Sequence, residues 1–225
     1  MNIIERKELV MRTRLAFNAL AVLLLLTGCG STVSRIEADS TRLDPALGLA
    51  VVALHTPGPA WIEDIGEDAA GCVTSAVLKV PRARLVKTDE FRRYVLPDRM
   101  NEEPLTRDSF RALGKDAEFQ RRATAAGIRY LVGAGGITKQ PSPRGGCTSG
   151  GCFFVWNRES TAWAEIVDVT GGDSVAIVHA AVTGRPFLFL TYLPMGAPSF
   201  TETWACHKLK RGLVEFLTAQ GGQRS

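Results

Sequence analysis

Histidine is scarce in this 225-residue sequence, which has three: His55, His179 and His207. A serine-type hydrolase needs a histidine beside a nucleophile and a carboxylate. Serines such as Ser149 are plentiful, but no spacing couples one of them to His179 or His207. Neither a Walker A pattern nor a Gly-x-Ser-x-Gly elbow occurs. Gly133-Ala-Gly-Gly follows an apolar stretch as a dinucleotide loop does, yet the prolines and glycines after Lys139 leave no helix N-terminus for a phosphate. Long apolar runs are missing as well. Leu15 to Leu26, broken by Asn18, falls short of the roughly 20 residues that a spanning helix needs.

What that run offers instead is an address. Arg12 and Arg14 precede it, and it ends on the small residues Thr27 and Gly28, the pattern of a secretory signal peptide. The sequence Leu26-Thr27-Gly28-Cys29 at its end resembles the lipobox of bacterial lipoproteins: an aliphatic residue, a small one, Gly or Ala, then Cys. The resemblance implies that residues 1–28 are removed, that the Cys29 thiol carries a diacylglycerol, and that its new amine is acylated. Two or more acyl chains hold a protein stably at a membrane. The same family sorts by the next residue, where Asp retains a protein in the inner membrane. Gly30 therefore implies an outer-membrane lipoprotein with its domain on the periplasmic face. The other reading is an uncleaved anchor or an ordinary secreted protein. Glu5 and Glu8 dilute the positive charge ahead of the signal, which makes Met11 an alternative start to Met1.

Charge of one sign is also lacking. Four of the 27 basic and two of the 23 acidic residues precede Cys29, so the net charge of +4 falls to about +2 on cleavage. That balance argues against a nucleic-acid binder. The expected partner is the membrane, through the lipid, together with an envelope protein; no cofactor beyond the covalent lipid on Cys29 is expected.

Beyond Cys29 four cysteines remain: Cys72, Cys147, Cys152 and Cys206. An even number in an oxidising compartment points to two disulfides, with three pairings open. Cys147 and Cys152 flank the Gly-rich Thr-Ser-Gly-Gly, which can turn back on itself, and this leaves Cys72 for Cys206. A zinc site using Cys147, Cys152 and a histidine is the alternative for the close pair, but the compartment favours the bridge, and no metal is expected. Buried free thiols are the alternative for Cys72 and Cys206.

The patterning predicts a polar tether over residues 29–45 and one domain over 46–220. Leu47 to Leu54 reads as a buried strand. Trp61 to Val80 has helical spacing, with Cys72 on its apolar stripe. Ala83 to Lys87 is a short strand, followed by a short helix holding Phe91, Tyr94 and Val95. A helix is expected over Ser109 to Ala126, and a strand over Ile128 to Val132 ended or bulged by the glycines after it. Lys139 to Gly151 reads as a surface loop, and Phe153 to Trp156 as a short strand. Ser160 to Val169 and Val175 to Thr183 alternate and form a hairpin, with Ala162, Ala164, Ile166 and Asp168 on one face. Thr201 to Ala219 is the last helix, with Cys206 on its apolar face.

This order predicts an α/β (α+β) domain: a mixed sheet of about five strands with helices packed on it. It resembles the TolB N-terminal type and its lipoprotein relatives LpoB and CsgG. The phrases that carry the resemblance are AVVAL, ARLVK, AAGIRYLVGAGG and AEIVDVTGGDSV. The resemblance implies a non-enzymatic adapter or structural factor in envelope assembly. The Cys-rich loop and the apolar stretch from Phe187 to Phe200 depart from it. Phe187, Phe189, Tyr192, Leu193, Met195 and Phe200 in that stretch make a candidate docking segment for a partner or lipid headgroups, against burial of the stretch as an edge strand. A small-ligand-binding lipoprotein, or an envelope hydrolase using His179 or His207, are the rival functions.

Overall fold

A computed structural model of the chain describes residues 29–32, 36–38, 43–86, 90–91, 105–140, 142–148, 151–185, 187–190, 195–197 and 200–221. Residues 1–28, expected to be a signal peptide, and Tyr94, Val95, Ser149, Tyr192 and Leu193 lie outside them. The fold is mixed α+β, as the element order predicts, with more strands than expected. Among the described residues eight strands form one sheet and four more a second.

The main sheet is built around β9 (Arg158–Asp168) and β10 (Asp173–Gly184), the predicted hairpin. Its continuous path also takes in β1 (Cys29–Thr32), β6 (Tyr130–Lys139), β3 (Leu49–Leu54) and β5 (Leu85–Val86), in the order β1-β10-β9-β6-β3-β5. β3 runs parallel to both β5 and β6, and every other pair is antiparallel. Helix α1 (Gly66–Val77) connects the parallel neighbours β3 and β5, the predicted βαβ unit. Two short strands complete the sheet, β2 (Ile36–Ala38) beside β10 and β4 (Ile62–Asp64) beside the end of β6.

Both sheet faces are covered. On one, Leu49, Val51, Val132, Ala164, Ile166, Val178 and Val182 pack under α1 and α4 (Thr201–Gly221). The helices meet that face through residues three and four apart, Ala69, Val73, Ala76 and Val77 on α1 and Ala205, Leu209, Leu213 and Leu217 on α4. On the other face Ala50, Val52, Leu131 and Val167 pack under α2 (Arg107–Gly114) and α3 (Ala117–Ala125). Phe91 joins this second core and meets Phe119 edge-on at 6.3 Å. Each fully buried Leu or Phe stabilises the fold by about 1.5–3 kcal/mol.

Several expectations need correction. The single helix over Ser109 to Ala126 is two, because the Asp116 carboxylate caps a new start at the Phe119 N–H (2.8 Å) and the first helix has its own cap at Thr106. The helix from Trp61 begins only at Gly66. Residues 62–64 pair with β6, and Asp64 accepts the Gly66 N–H at 3.0 Å. The glycines after Val132 neither end nor bulge the strand, which continues to Lys139. They admit neighbours instead: a Cβ on Gly133 would sit 2.8 Å from Phe110 and Leu54, and one on Gly135 2.6 Å from the Trp163 ring. The expected loop over Lys139 to Gly151 contains β7 (Arg144–Thr148), hairpin-paired with β8 (Gly151–Val155). Part of the expected tether is also sheet, since residues 29–32 and 36–38 run antiparallel along β10.

The second sheet, β12-β11-β8-β7, continues the first. β6, β9 and β10 lead, across short breaks, to β7, β8 and β11 (Phe187–Leu190), and β12 (Met195–Ala197) closes its far edge. The apolar stretch is thus a strand pair in this extension.

Both disulfides join the residues the sequence pairs. Cys72 of α1 meets Cys206 of α4 with 5.7 Å between Cα atoms, inside the usual range, and Cys147 faces Cys152 directly across the β7–β8 hairpin. The first closes a loop of 134 residues and the second one of 5. In the chain-entropy model, Cys72→Ala with Cys206→Ala should lower the unfolding free energy by about 5 kcal/mol and Cys147→Ala with Cys152→Ala by about 2 kcal/mol. Urea titration checks the order, and equal losses would contradict it.

Candidate functional site

Cys29 is the first paired residue of β1, opposite Gly184 at the end of β10. Gly184 in turn faces Arg158 at the start of β9. The neighbouring positions at this end of the sheet are Glu159, opposite Lys139 at the end of β6, and Ile62 of β4, also opposite Lys139. Helix α4 starts here as well. A buried hydroxyl chain runs from Thr138 to Ser160 (2.9 Å), and Ser160 donates to Thr201 at 2.7 Å. Arg158 pairs with Glu202 of α4 and lies 3.6 Å from Glu63 of β4, which ties the three elements together. The arm of β7, β8, β11 and β12 extends from this end. Of the proposed docking residues, the backbones of Phe187, Phe189 and Met195 lie in β11 and β12, and Phe200 is 63% exposed ahead of α4.

The groove between α1 and α4 has a volume of about 450 Å³. Its wall includes the Cys72–Cys206 bridge, with Ala162 below and Asp68, His207 and Lys210 around it. Lys210 donates to the Ser75 hydroxyl across it. The helices' apolar stripes bring the two cysteines together; of the groove's polar lining only His207 was singled out in the sequence, and Asp68, Ser75, Glu202 and Lys210 were not.

On the opposite face lies a charged cluster that sequence reasoning missed. Glu165 of β9 is fully buried. Arg107 Nε donates to one carboxylate oxygen at 2.7 Å, and Arg111 grips both oxygens, at 2.7 and 3.2 Å. The two arginines are four apart, one turn of α2, and so reach the same point. The sequence does hold this signal: a glutamate inside the apolar run from Ala162 to Val167 needs a cation. Burial drives the Glu165 carboxyl up, but hydrogen bonds from Arg111 and Arg107, with their charges, outweigh it and hold it below the ordinary range. The same hydrogen bond raises Arg111.

The histidines do not converge. His179 lies on β10 opposite Trp163, with ring centroids 6.5 Å apart, and His207 is on α4. His55 pairs through Nδ1 with Asp64. The nearby Thr106 and Ser109 hydroxyls bond each other at 2.8 Å within the α2 cap. Among the described residues no three His, Cys, Asp or Glu side chains gather to hold a metal. No described helix is long and apolar enough to cross a membrane.

These features define a class: an α+β domain with helices on both sheet faces, one disulfide clamping a helix pair and a second closing a β-arm. No family model matches the chain, and no curated protein does. Among solved structures it is similar to the PelC dodecamer from Paraburkholderia phytofirmans. For a single-residue variant of that protein the TM-score is 0.43 at 14% identity, covering 84% of this chain and 99% of the other. For another crystal form it is 0.41 at 13%, covering 85% and 100%.

The Glu165 cluster has a measurable consequence. Because the folded-state carboxyl lies below its unfolded value, its contribution is complete above about pH 4.3 and is lost as pH falls through the folded value. Glu165→Gln should flatten the pH dependence of the urea midpoint below that pH. Arg107→Ala with Arg111→Ala, which leaves the buried Glu165 carboxylate without a cation, should cost about 3–5 kcal/mol at neutral pH.

Proposed function

We propose that this chain is a bacterial lipoprotein held by acyl chains on Cys29 at the periplasmic face of the outer membrane. There it serves without catalysis, as an adapter or structural factor in envelope assembly. The observation that carries the reading is the lipobox Leu26-Thr27-Gly28-Cys29 leading directly into a sheet strand, since Cys29 itself pairs with Gly184. An acyl group on that residue starts at the sheet edge, with no free linker between, so the domain is carried against the surface. Gly30 supports the outer-membrane destination, and the TolB-like element order supports an envelope role. The two disulfides suit an oxidising compartment. The adapter role rests on the arm, whose strand β7 is exposed along its whole length and offers a surface for an envelope protein.

A second reading, a lipoprotein that binds a small ligand, is favoured by the α1–α4 groove, whose volume of about 450 Å³ suits a small molecule. The expected occupant has both charged and apolar parts, matching Asp68, Lys210, Ile65 and Ala69 in the lining.

The anchor is tested by growing cells with labelled palmitate. The protein should take up label, and Cys29→Ser should abolish the label and move the protein from the membrane to the soluble fraction. An unlabelled protein that stays soluble without substitution would sink the reading.

A further inference from the structure

Six large apolar side chains are exposed among the described residues: Leu47, Trp61, Leu78, Phe153, Phe200 and Trp204. They divide by position. The aliphatic pair lies at the opposite end of the sheet from Cys29, Leu47 just before β3 and Leu78 just after α1. The four aromatics lie at the Cys29 end. The Trp61 carbonyl accepts the Gln140 N–H just past the end of β6, and Phe153 sits in β8 of the arm. Phe200 precedes α4, and Trp204 is in the first turn of that helix, its N–H bonded to the Phe200 carbonyl at 3.0 Å. From Cys29 to Lys139 is three strand spacings, about 15 Å. The aromatic groups therefore lie at the same end of the sheet as the place where the acyl chains would start. Arg144 of β7 and Arg185, next to Gly184, are exposed at the same end.

We propose that this end of the molecule is a membrane-facing surface, in which Trp61, Phe153, Phe200 and Trp204 enter the headgroup region of the bilayer while Arg144 and Arg185 meet anionic lipid phosphates. The inference rests on the lipid-anchor reading, because the chain ahead of Cys29 ends at this edge and the acyl chains bring the bilayer to it. Exposed tryptophan and phenylalanine flanked by arginine match the chemistry of that interface. The aromatic ring suits its apolar-to-polar gradient, and the guanidinium suits its phosphates. The acyl chains alone fix the distance to the membrane. The aromatic surface fixes the orientation, so that the opposite end, with the start of β3, points away from the bilayer.

The experiment uses full-length protein made with its own signal, purified from membranes and reconstituted into phosphatidylethanolamine–phosphatidylglycerol vesicles whose lipids are brominated high on the acyl chains. The readout is tryptophan quenching, with palmitate labelling run on the same preparation. Trp156→Phe is made in every protein compared, because Trp156 is partly exposed at the base of the arm, and Trp163, 8% exposed in the core, is an internal control that lipid cannot reach. The expected result is a labelled protein that loses about half of its emission, with most of that quenching absent when Trp61→Phe and Trp204→Phe are combined. Both positions are about half exposed, so the double variant is expected to fold, which an unchanged urea midpoint verifies. A labelled protein that floats with the vesicles but is not quenched overturns the orientation and leaves the anchor standing. The aromatic surface would then be free for a second copy or a protein partner. An unlabelled protein overturns the anchor. The surface survives that result only if the unlipidated protein, added to the same vesicles, is quenched through Trp61 and Trp204, and it is overturned if it is not.

Discussion

Burial of β9 on both faces is the constraint from which the architecture follows. From Ala162 to Asp168 every residue of this strand is buried. Alternate side chains must therefore find partners on opposite sides. Ala162, Ala164 and Ile166 turn to one core, under α1 and α4, and Val167 turns to the other, under α2 and α3. A sheet solvated on one side would have satisfied half of this demand. Two helical layers are needed, and the chain supplies one from the helix between β4 and β5 together with the last helix, and the other between β5 and β6.

Glu165 makes the second layer specific. A carboxylate with no exposed surface is tolerated in the middle of a sheet only when its charge is matched and its lone pairs are used. Arg107 and Arg111 do both, from a helix whose own start is fixed by the Thr106–Ser109 capping box. Gly133 allows the approach, since a methyl group there would meet Phe110 of the same helix. Register, glycine and ion pair thus hold α2 at one place on the sheet. The other layer has a covalent counterpart, the Cys72–Cys206 bridge between α1 and α4.

Legibility followed the range of the interactions. The β9–β10 hairpin, α4 and the 147–152 bridge were readable because the residues that decide them are close in sequence. The Cys72–Cys206 bridge was readable because two periodic stripes left one consistent answer. The break between α2 and α3 was missed because Phe110, Leu113 and Ala117 keep a helical spacing across it; the cap at Asp116 acts locally against that pattern. The glycines of β6 read as a strand end because their function is to receive Phe110 and Trp163, which lie elsewhere in the chain. The arm read as loop because its glycines weaken the strand pattern, while its pairing partner β11 is some forty residues away.

The sequence by itself determined the Leu26-Thr27-Gly28-Cys29 motif, the four cysteines beyond it, the helical and strand periodicities and hence the mixed class of fold. These are properties of neighbouring residues, set by side-chain spacing and size. Only the tertiary structure decided which charges meet, that the expected tether pairs along β10, and that Cys29 lies at the same end of the sheet as Trp61, Phe200 and Trp204. The physical reason is that strand register and helix placement are settled by contacts between segments far apart in the chain. No local preference encodes them.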